Sequence, residues 1–365
     1  MLNMINLLFI YLVSFLISFL INLWIVKTRP SFAVDEIKGI QKFHSEFIPR
    51  VGGLGIFIAF ATSLLYLYIK TSNKFYLYLI LASLPVFLGG LLEDITKKVS
   101  PGKRLFLAFI SGFLCIFLLG VYISRSDIPL IDKIFTFTPF AILFTTFVIA
   151  GLSNAFNIID GFNGLSSAVA MIVLISFAYI GLMKGDFFLL NISLVTIFSI
   201  LGFFVLNYPF GKIFLGDGGS YLIGFVIGFL STYIIFKYKD ISPWYPLALS
   251  IYPVFETLFS IYRRMILRKY NPFKPDNLHL HTLLYRKIIR KLKLKNNYLK
   301  NSLVMPVLIS LYLPFVVIAN FFWDVTDVLA LLCGIYIVLY LYLYSYLSTS
   351  LSIQKEEVSI SKRKC

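Results

Sequence analysis

Residues 187–206 read FFLLNISLVTIFSILGFFVL and contain no charged side chain. A helix needs roughly 20 predominantly apolar residues to cross a bilayer, so this stretch alone is long enough to span one. Similar stretches flank it on both sides. The predicted spans are 5–26, 51–69, 75–92, 105–123, 138–153, 164–183, 187–206, 218–236, 244–262, 303–322 and 327–348. We therefore predict an all-α integral membrane protein with about eleven transmembrane helices (ten or eleven).

The composition of the 365-residue chain excludes several other classes of protein. Apolar residues make up 59% and charged residues 14%, far from the balance of a soluble globular domain. The sequence lacks phosphate-loop, dinucleotide-binding, serine-hydrolase and zinc-protease motifs, which argues against an ATP-driven pump and a covalent hydrolase. Cys115, Cys333 and Cys365 are too scattered to indicate disulfides or a thiolate metal site.

The distribution of basic residues predicts the orientation in the membrane. With the amino terminus outside, the cytoplasmic segments are 27–50, 93–104, 154–163, 207–217, 263–302 and the tail 349–365. These segments carry 26 of the 33 Lys and Arg residues, as the positive-inside rule requires. We predict one polytopic catalytic domain over 1–348 with a basic cytoplasmic tail, attracted to membrane lipids and not to nucleic acid.

Three acidic residues stand at the predicted cytoplasmic ends of spans. Glu93 and Asp94 are adjacent where the third span ends, and Asp217 precedes another span among three glycines. Adjacent carboxylates repel each other unless a cation neutralises them. Such oxygen ligands suit Mg²⁺ bound together with substrate phosphates. The structural alternatives are a charged helix end for the first pair and a helix N-cap for Asp217.

Polar residues recur at intervals of three after the fifth predicted span. On a helix, Asn154, Asn157 and Asp160 would share one face, so two amides and a carboxylate would point the same way. Capping requires only one or two such groups. We therefore treat this cluster as a candidate part of the site.

Histidines and an arginine supply candidate phosphate ligands. His279 and His281 lie in the most basic predicted loop, and His44 precedes Arg50 in the first one. A zinc site made of the three histidines is the alternative, but the ligand types favour phosphate contact. For Arg50, the alternative is an ordinary basic residue at the inner membrane boundary.

Ionisable residues inside the predicted spans are few, with Glu256 the main exception. We expect Glu256 to pair with Arg263 or Arg264, one or two turns along. Secondary transporters place their sites near the bilayer midplane, so a secondary transporter is the alternative from another class. The polar motifs on one face instead favour a reaction between a soluble phosphate compound and a lipid phosphate, with a metal screening the two anions.

Taken in order, these motifs resemble those of the polyprenyl-phosphate N-acetylhexosamine-1-phosphate transferases. The resemblance runs from Gln41-Lys42-Phe43-His44 and Pro49-Arg50-Val51-Gly52-Gly53 to His281, about three quarters of the chain. It implies Mg²⁺ or Mn²⁺ and transfer of a sugar phosphate from a UDP-sugar to undecaprenyl (polyprenyl) phosphate, with release of UMP. It also implies a bacterial plasma-membrane enzyme with a cytoplasmic active site, which starts the synthesis of surface-polysaccharide or cell-wall lipid carriers. A homodimer is a further expectation.

The resemblance also implies roles for individual residues. The implied catalytic residues are Glu93, Asp94, Asp160 and Asp217, and the implied metal ligands are Asp217, Asn157 and Asp94. The implied substrate-binding residues are Lys97, Asn154, Asn157, Asn207, Phe214, His279, His281, Arg50 and His44. Among these, Phe214 is similar to a residue that stacks on the uracil, and Asn207 to one whose amide holds it.

Three positions depart from the family's pattern. Glu93 stands where many members have Asp, which weakens its assignment as a base. Asn163 replaces an acidic residue, and Thr282 occupies the place of a further histidine. These differences favour initiators of O-antigen or similar glycans. The alternative is a phospho-N-acetylmuramoyl-pentapeptide transferase of peptidoglycan synthesis.

Overall fold

The computed structural model describes residues 4–30, 48–267, 278–294 and 296–363, which fold into helices and their connections. The helices are α1 (Met4–Thr28), α2 (Gly52–Thr71), α3 (Lys74–Thr96), α4 (Pro101–Leu119), α5 (Pro129–Phe135), α6 (Thr138–Ile158), α7 (Leu165–Met183), α8 (Phe187–Asn207), α9 (Gly216–Lys237), α10 (Trp244–Leu249), α11 (Ile251–Tyr262), α12 (Leu280–Lys287), α13 (Asn297–Ser302), α14 (Val304–Phe321) and α15 (Thr326–Arg363). A π-helical turn, Arg263–Leu267, continues α11. The all-α prediction is confirmed for the described residues.

Ten helical segments in the described part of the chain are long and apolar enough to cross a membrane. They correspond to ten of the predicted spans. The remaining predicted span, 244–262, is divided into α10 and α11 at Ser250. Pro246 and Pro253 flank this break, and proline interrupts a helix because it lacks the backbone N–H donor. The described residues thus contain ten candidate spans and one interrupted helical segment, while the exact number of spans and their orientation stay predictions.

Local capping interactions set several helix boundaries. The Asn73 side chain accepts a hydrogen bond from Phe75 N at 3.0 Å at the start of α3. At the start of α8, Asp186 Oδ1 accepts hydrogen bonds from the first backbone N–H groups of the helix. Ser100 caps α4, and Pro101 follows it at a position where a missing N–H costs nothing. These N-caps fix where the connections between spans end and the next helices start.

The connections between spans gather at two ends of the bundle. At one end, Asp186 accepts hydrogen bonds from Lys237 Nζ and from Tyr238 Oη, each at 2.7 Å. Arg125 lies at the same end and donates to the carbonyl oxygen of Tyr238 at 3.0 Å. The polar motifs singled out in the sequence lie at the opposite end. Because successive helices alternate in direction, residues far apart in sequence meet there.

At this second end, glycines allow α2, α3 and α9 to approach one another closely. A Cβ atom added to Gly53 of α2 would lie 2.2 Å from Gly219 N of α9. One added to Gly90 of α3 would lie 2.5 Å from Gly218 N. The first turn of α9 is therefore packed against the backbones of two neighbours. Helix α9 is buried along nearly its whole length and forms the centre of the bundle.

Candidate active site

Asp94 and Asp217 form the centre of the site, where the end of α3 meets the start of α9. Asp94 Oδ1 accepts a hydrogen bond from Asp217 N, and Oδ2 accepts one from Gly218 N, both at 2.8 Å. The first N–H groups of a helix have no acceptor within the helix. Both carboxylates are buried. Asp94 thus caps α9 from a neighbouring helix and fixes the backbone that carries Asp217.

Two arginines bind the Asp217 carboxylate. Arg50 Nη2 donates to Asp217 Oδ1 at 2.8 Å, and Arg50 Nε lies 3.4 Å from Asp94 Oδ1. Arg104, in the first turn of α4, pairs with the other oxygen of Asp217. Its guanidinium group also lies 5.7 Å from the centroid of the Tyr221 ring. From the sequence, Arg104 is only one of many basic residues in the predicted cytoplasmic segments, so the structure adds it to the site.

The two asparagines of α6 face the same cluster. Asn157 Nδ2 donates to Asp217 Oδ1 at 2.9 Å and to Ser220 Oγ at 3.0 Å. Asn154 Oδ1 accepts a hydrogen bond from Tyr221 Oη at 3.1 Å. The predicted shared face is therefore confirmed for these two residues. Helix α6 ends at Ile158, so Asp160 lies in the turn that follows and not on the helix.

Asp160 adds a third carboxyl group to the cluster. It is close enough to interact electrostatically with Asp94 and Arg50. Desolvation raises the pKa of Asp160 to about 7, and the positive charge of Arg50 acts against this rise. The charge of Asp160 therefore changes near neutral pH.

The oxygen atoms around Asp217 suit a magnesium ion that is shared with substrate phosphates. Where the structure describes the chain, no group of three or more His, Cys, Asp or Glu side chains could hold a metal by itself. Magnesium commonly uses one or two carboxylates and completes its shell with phosphate and water. Asp217 and Asn157 fit that pattern, and their assignment as metal ligands stays a prediction. Both oxygens of Asp94 accept backbone N–H groups, and its assignment as a ligand stays a prediction.

Glu93 and Lys97 shape the turn that leads out of α3. Glu93 Oε2 accepts a hydrogen bond from Val99 N at 2.7 Å. Lys97 adopts a left-handed conformation, with φ of 54°, and its N–H donates to the carbonyl of Glu93 at 2.8 Å. The structure thus gives both residues a local role. Their predicted catalytic and substrate-binding roles stay predictions.

Asn207 and Phe214 belong to a connection held by backbone contacts. Asn207 Oδ1 accepts a hydrogen bond from Gly164 N, and Asn207 Nδ2 donates to the carbonyl of Ile213, both at 2.7 Å. Phe214 N donates to the carbonyl of Pro49 at 2.8 Å. These contacts bring the segment before Asp217 alongside the segment that contains Arg50. Uracil binding by Asn207 and Phe214 stays a prediction.

The histidine pair lies beside the turn that carries Asp160. The rings of His279 and His281 stack with their centroids 5.3 Å apart. The rings of His281 and Phe162 form a T-shaped contact, with their centroids 5.6 Å apart. Burial lowers the pKa of His281 to about 3, so its ring is neutral at physiological pH. His44, the remaining predicted contact, lies outside the described residues.

The expected pairing of Glu256 with Arg263 or Arg264 is wrong. Glu256 Oε1 lies 2.9 Å from His279 Nδ1. Arg263 instead donates to the carbonyl of Leu278 at 2.7 Å. The prediction assumed regular α-helical spacing, but the helix passes into a π-helical turn at Arg263, which changes the angular spacing of its side chains.

Comparison with known proteins identifies the family. Residues 76–235 match the family model described as glycosyl transferase family 4. The probable undecaprenyl-phosphate N-acetylglucosaminyl 1-phosphate transferase of Bacillus subtilis is 34% identical over 250 residues, which cover 68% of each chain. The chain belongs to this transferase family. The resemblance noted from the sequence motifs is thereby confirmed.

Two further relatives of this chain have names similar to that of the Bacillus subtilis protein. The undecaprenyl-phosphate alpha-N-acetylglucosaminyl 1-phosphate transferase of Thermotoga maritima is 31% identical over 277 residues, which cover 76% of this chain and 80% of the relative. The Escherichia coli K12 protein of the same name is 30% identical over 285 residues, 74% of each chain. The matched family region contains Asp94, Arg104, Asn157 and Asp217. Most of the carboxylate cluster, which is the group of polar side chains around Asp94 and Asp217, therefore lies within it.

Proposed function

We propose that this protein transfers N-acetylglucosamine 1-phosphate from UDP-N-acetylglucosamine to undecaprenyl phosphate or a related polyprenyl phosphate, with release of UMP. The observation that carries the proposal is the cluster of Asp94, Asp217, Arg50 and Arg104 at one end of the membrane spans. A lipid phosphate and a soluble nucleotide can both reach such a position. The names of the relatives support this donor and acceptor.

The reaction requires two anionic phosphates to approach each other. An oxygen of the lipid phosphate attacks the sugar-bearing phosphorus and forms a new P–O bond. The bond from that phosphorus to the bridging oxygen breaks, and this oxygen leaves on UMP with the electron pair. Arg50 and Arg104 place two positive charges beside the reacting groups, while Asp94 holds the backbone of α9 in place. Positioning and charge neutralisation therefore supply most of the catalysis.

Magnesium dependence is part of the proposal. Asp217 and Asn157 would hold the ion, which supplies further neutralisation of the diphosphate charge when it is bound. Arg50 and Arg104 contact the same carboxylate, so an ion at Asp217 requires part of this contact to open. We expect the guanidinium groups then to bind phosphate oxygens, which they recognise as well as carboxylates.

We place the protein in the plasma membrane of a bacterium, with the site on the cytoplasmic side. The bacterial relatives support the first part, and the basic residues concentrated in the predicted cytoplasmic segments support the second. Family membership favours this transferase over a sugar-nucleotide transporter. The sugar pathway and the homodimer stay predictions.

The test is mass spectrometry of lipid extracts after the purified protein is incubated with polyprenyl phosphate, Mg²⁺ and each of a panel of UDP-sugars. We expect a polyprenyl diphosphate bearing N-acetylhexosamine, together with UMP, and no product when EDTA replaces Mg²⁺. Asp217→Asn is the matched inactive control. The proposal is refuted if folded wild-type protein forms no such lipid but sealed vesicles that contain it accumulate unchanged sugar nucleotide.

A further inference from the structure

Glu256 is the centre of a buried polar network outside the carboxylate cluster. Its side chain has no exposed surface. Glu256 Oε1 lies 2.9 Å from His279 Nδ1. Glu256 Oε2 accepts hydrogen bonds from Leu280 N at 3.2 Å and from Tyr340 Oη at 2.9 Å. Three donors from α15 and the start of α12 thus converge on one carboxylate of α11.

The opposite edge of the His279 ring faces the guanidinium group of Arg264. Arg264 Nη2 lies 3.3 Å from His279 Nε2. A guanidinium group donates hydrogen bonds and accepts none, so Nε2 must be the acceptor of this contact. The ring proton is then on Nδ1, where the carboxylate of Glu256 accepts it. The carboxylate on one side and the guanidinium on the other therefore select the same tautomer of His279.

This network is connected to the carboxylate cluster through the second histidine. His281 stacks on His279 and contacts Phe162, in the turn that carries Asp160. A Cβ atom added to Gly161 would lie 2.9 Å from His281 Nε2, so this turn is packed directly on the ring. The orientation of His279 is thus fixed with respect to the residues that surround the proposed substrates.

We propose that Glu256 is a positioning residue: it holds His279 as the Nδ1–H tautomer, so that Nε2 accepts from Arg264 and aims its guanidinium group at a phosphate of the nucleotide-sugar donor. Arg264 is the group that contacts the phosphate, and Glu256 acts through His279. The identity of the phosphate rests on the proposed function. The tautomer of His279 does not.

The tautomer can be observed directly, because the chain contains only three histidines. Long-range ¹H–¹⁵N spectra of histidine-labelled protein in detergent distinguish protonated from unprotonated ring nitrogens, and His44→Asn and His281→Asn variants assign the signals. We expect Nδ1 of His279 to carry the proton in the wild type. A wild-type His279 protonated on Nε2 alone would overturn the proposal without any variant.

Glu256→Gln tests the link to substrate binding. The single amide oxygen will accept from Leu280 N–H and Tyr340 O–H, so the amide NH₂ group will face His279 Nδ1. His279 should then change to the Nε2–H tautomer and lose its contact with Arg264. Loss of one such hydrogen bond corresponds to roughly a tenfold rise in the KM for the UDP-sugar, and we expect kcat to fall by less.

Two further variants separate positioning from general damage to the fold. Tyr340→Phe removes a donor to Glu256 but leaves the carboxylate, so the tautomer should stay as in the wild type. Arg264→Gln should raise KM to a similar degree as Glu256→Gln, and the double variant should add little. An unchanged tautomer and KM in Glu256→Gln would refute the positioning role. If Glu256→Gln changes the tautomer of His279 but the wild-type protein transfers no sugar phosphate, only the proposed function is refuted.

Discussion

Asp94 Oδ1 accepts a hydrogen bond from the backbone N–H of Asp217 at 2.8 Å, although the two residues are 123 positions apart in sequence. The second oxygen of Asp94 binds the next N–H of the same helix at the same distance. One aspartate therefore fixes the backbone on which the other is carried. The two residues have different roles, and substitutions should distinguish them.

Asp94→Asn should displace the start of α9. A carboxamide has one acceptor oxygen, so either Asp217 N–H or Gly218 N–H would face an NH₂ group. A buried donor left without a partner costs about 1–3 kcal/mol. We expect at least a tenfold loss of transfer, with faster hydrogen exchange at residues 216–220. Glu93→Gln is the control for hydrogen exchange alone, because its side-chain oxygen can still accept from Val99 N–H. Wild-type exchange rates in Asp94→Asn would contradict the capping role.

Arg104→Ala should reduce kcat/KM roughly 10- to 100-fold, the effect expected for one charge-assisted hydrogen bond. Arg104 and Asp217 share an ion pair, so Arg104→Ala and Asp217→Asn should not be additive in a double-mutant cycle of UMP release. Lys103→Ala is the matched control, because this neighbour is exposed. Independent effects of the two substitutions would argue against a shared role.

Gly53→Ala and Gly90→Ala should lower both thermal stability and activity. In each case the added methyl group would meet the backbone of α9, which cannot rotate away as a flexible side chain could. Gly151→Ala on α6 is the control, because its Cβ would have no atom within 4 Å. Replacing that helical glycine should retain or raise stability by about 0.5–1 kcal/mol. Thermal denaturation in detergent measures all three, and equal melting temperatures would disprove close contact.

Asp160→Asn should become more stable than the wild type as the pH rises. The pKa of Asp160 is about 7 in the folded protein, against about 3.9 in an unfolded chain. Between these values the folded state binds more protons, so wild-type stability falls as pH increases through about 7. The difference in melting temperature, measured in EDTA, should grow from pH 5 to 8 and then level off. Asp324→Asn, at an exposed position, is the control.

Much of the fold could be predicted from the sequence because lipid imposes a simple rule on helix length. In the described part of the chain, ten uncharged or nearly uncharged segments form helices long enough to cross a membrane, and alternating helix direction places the acidic and amide motifs at one end. The spacing of Asn154 and Asn157 predicted their shared face correctly. The break at Ser250 was missed, although Pro246 and Pro253 were available as signals.

Contacts between distant residues could not be predicted in the same way. Arg104 is one of 33 basic residues, and only the packing of α4 against α9 distinguishes it from its neighbours. The pairing of Glu256 with His279 depends on a π-helical turn and on a return of the chain across 23 residues. The backbone contacts of Asn207 likewise depend on where two loops meet.

The glycine contacts among α2, α3 and α9 bear on how this enzyme could be redesigned. The distance between Asp94 and Asp217 is set by main chains in contact, so no alternative side chain can adjust it. Any carbon atom added at these glycines would push the helices apart. Libraries that aim at a new donor sugar should therefore leave this junction unchanged. Variation belongs in the turn that carries Asp160 and in the segment around His279, where recognition can change while the spacing of the two carboxylates is retained.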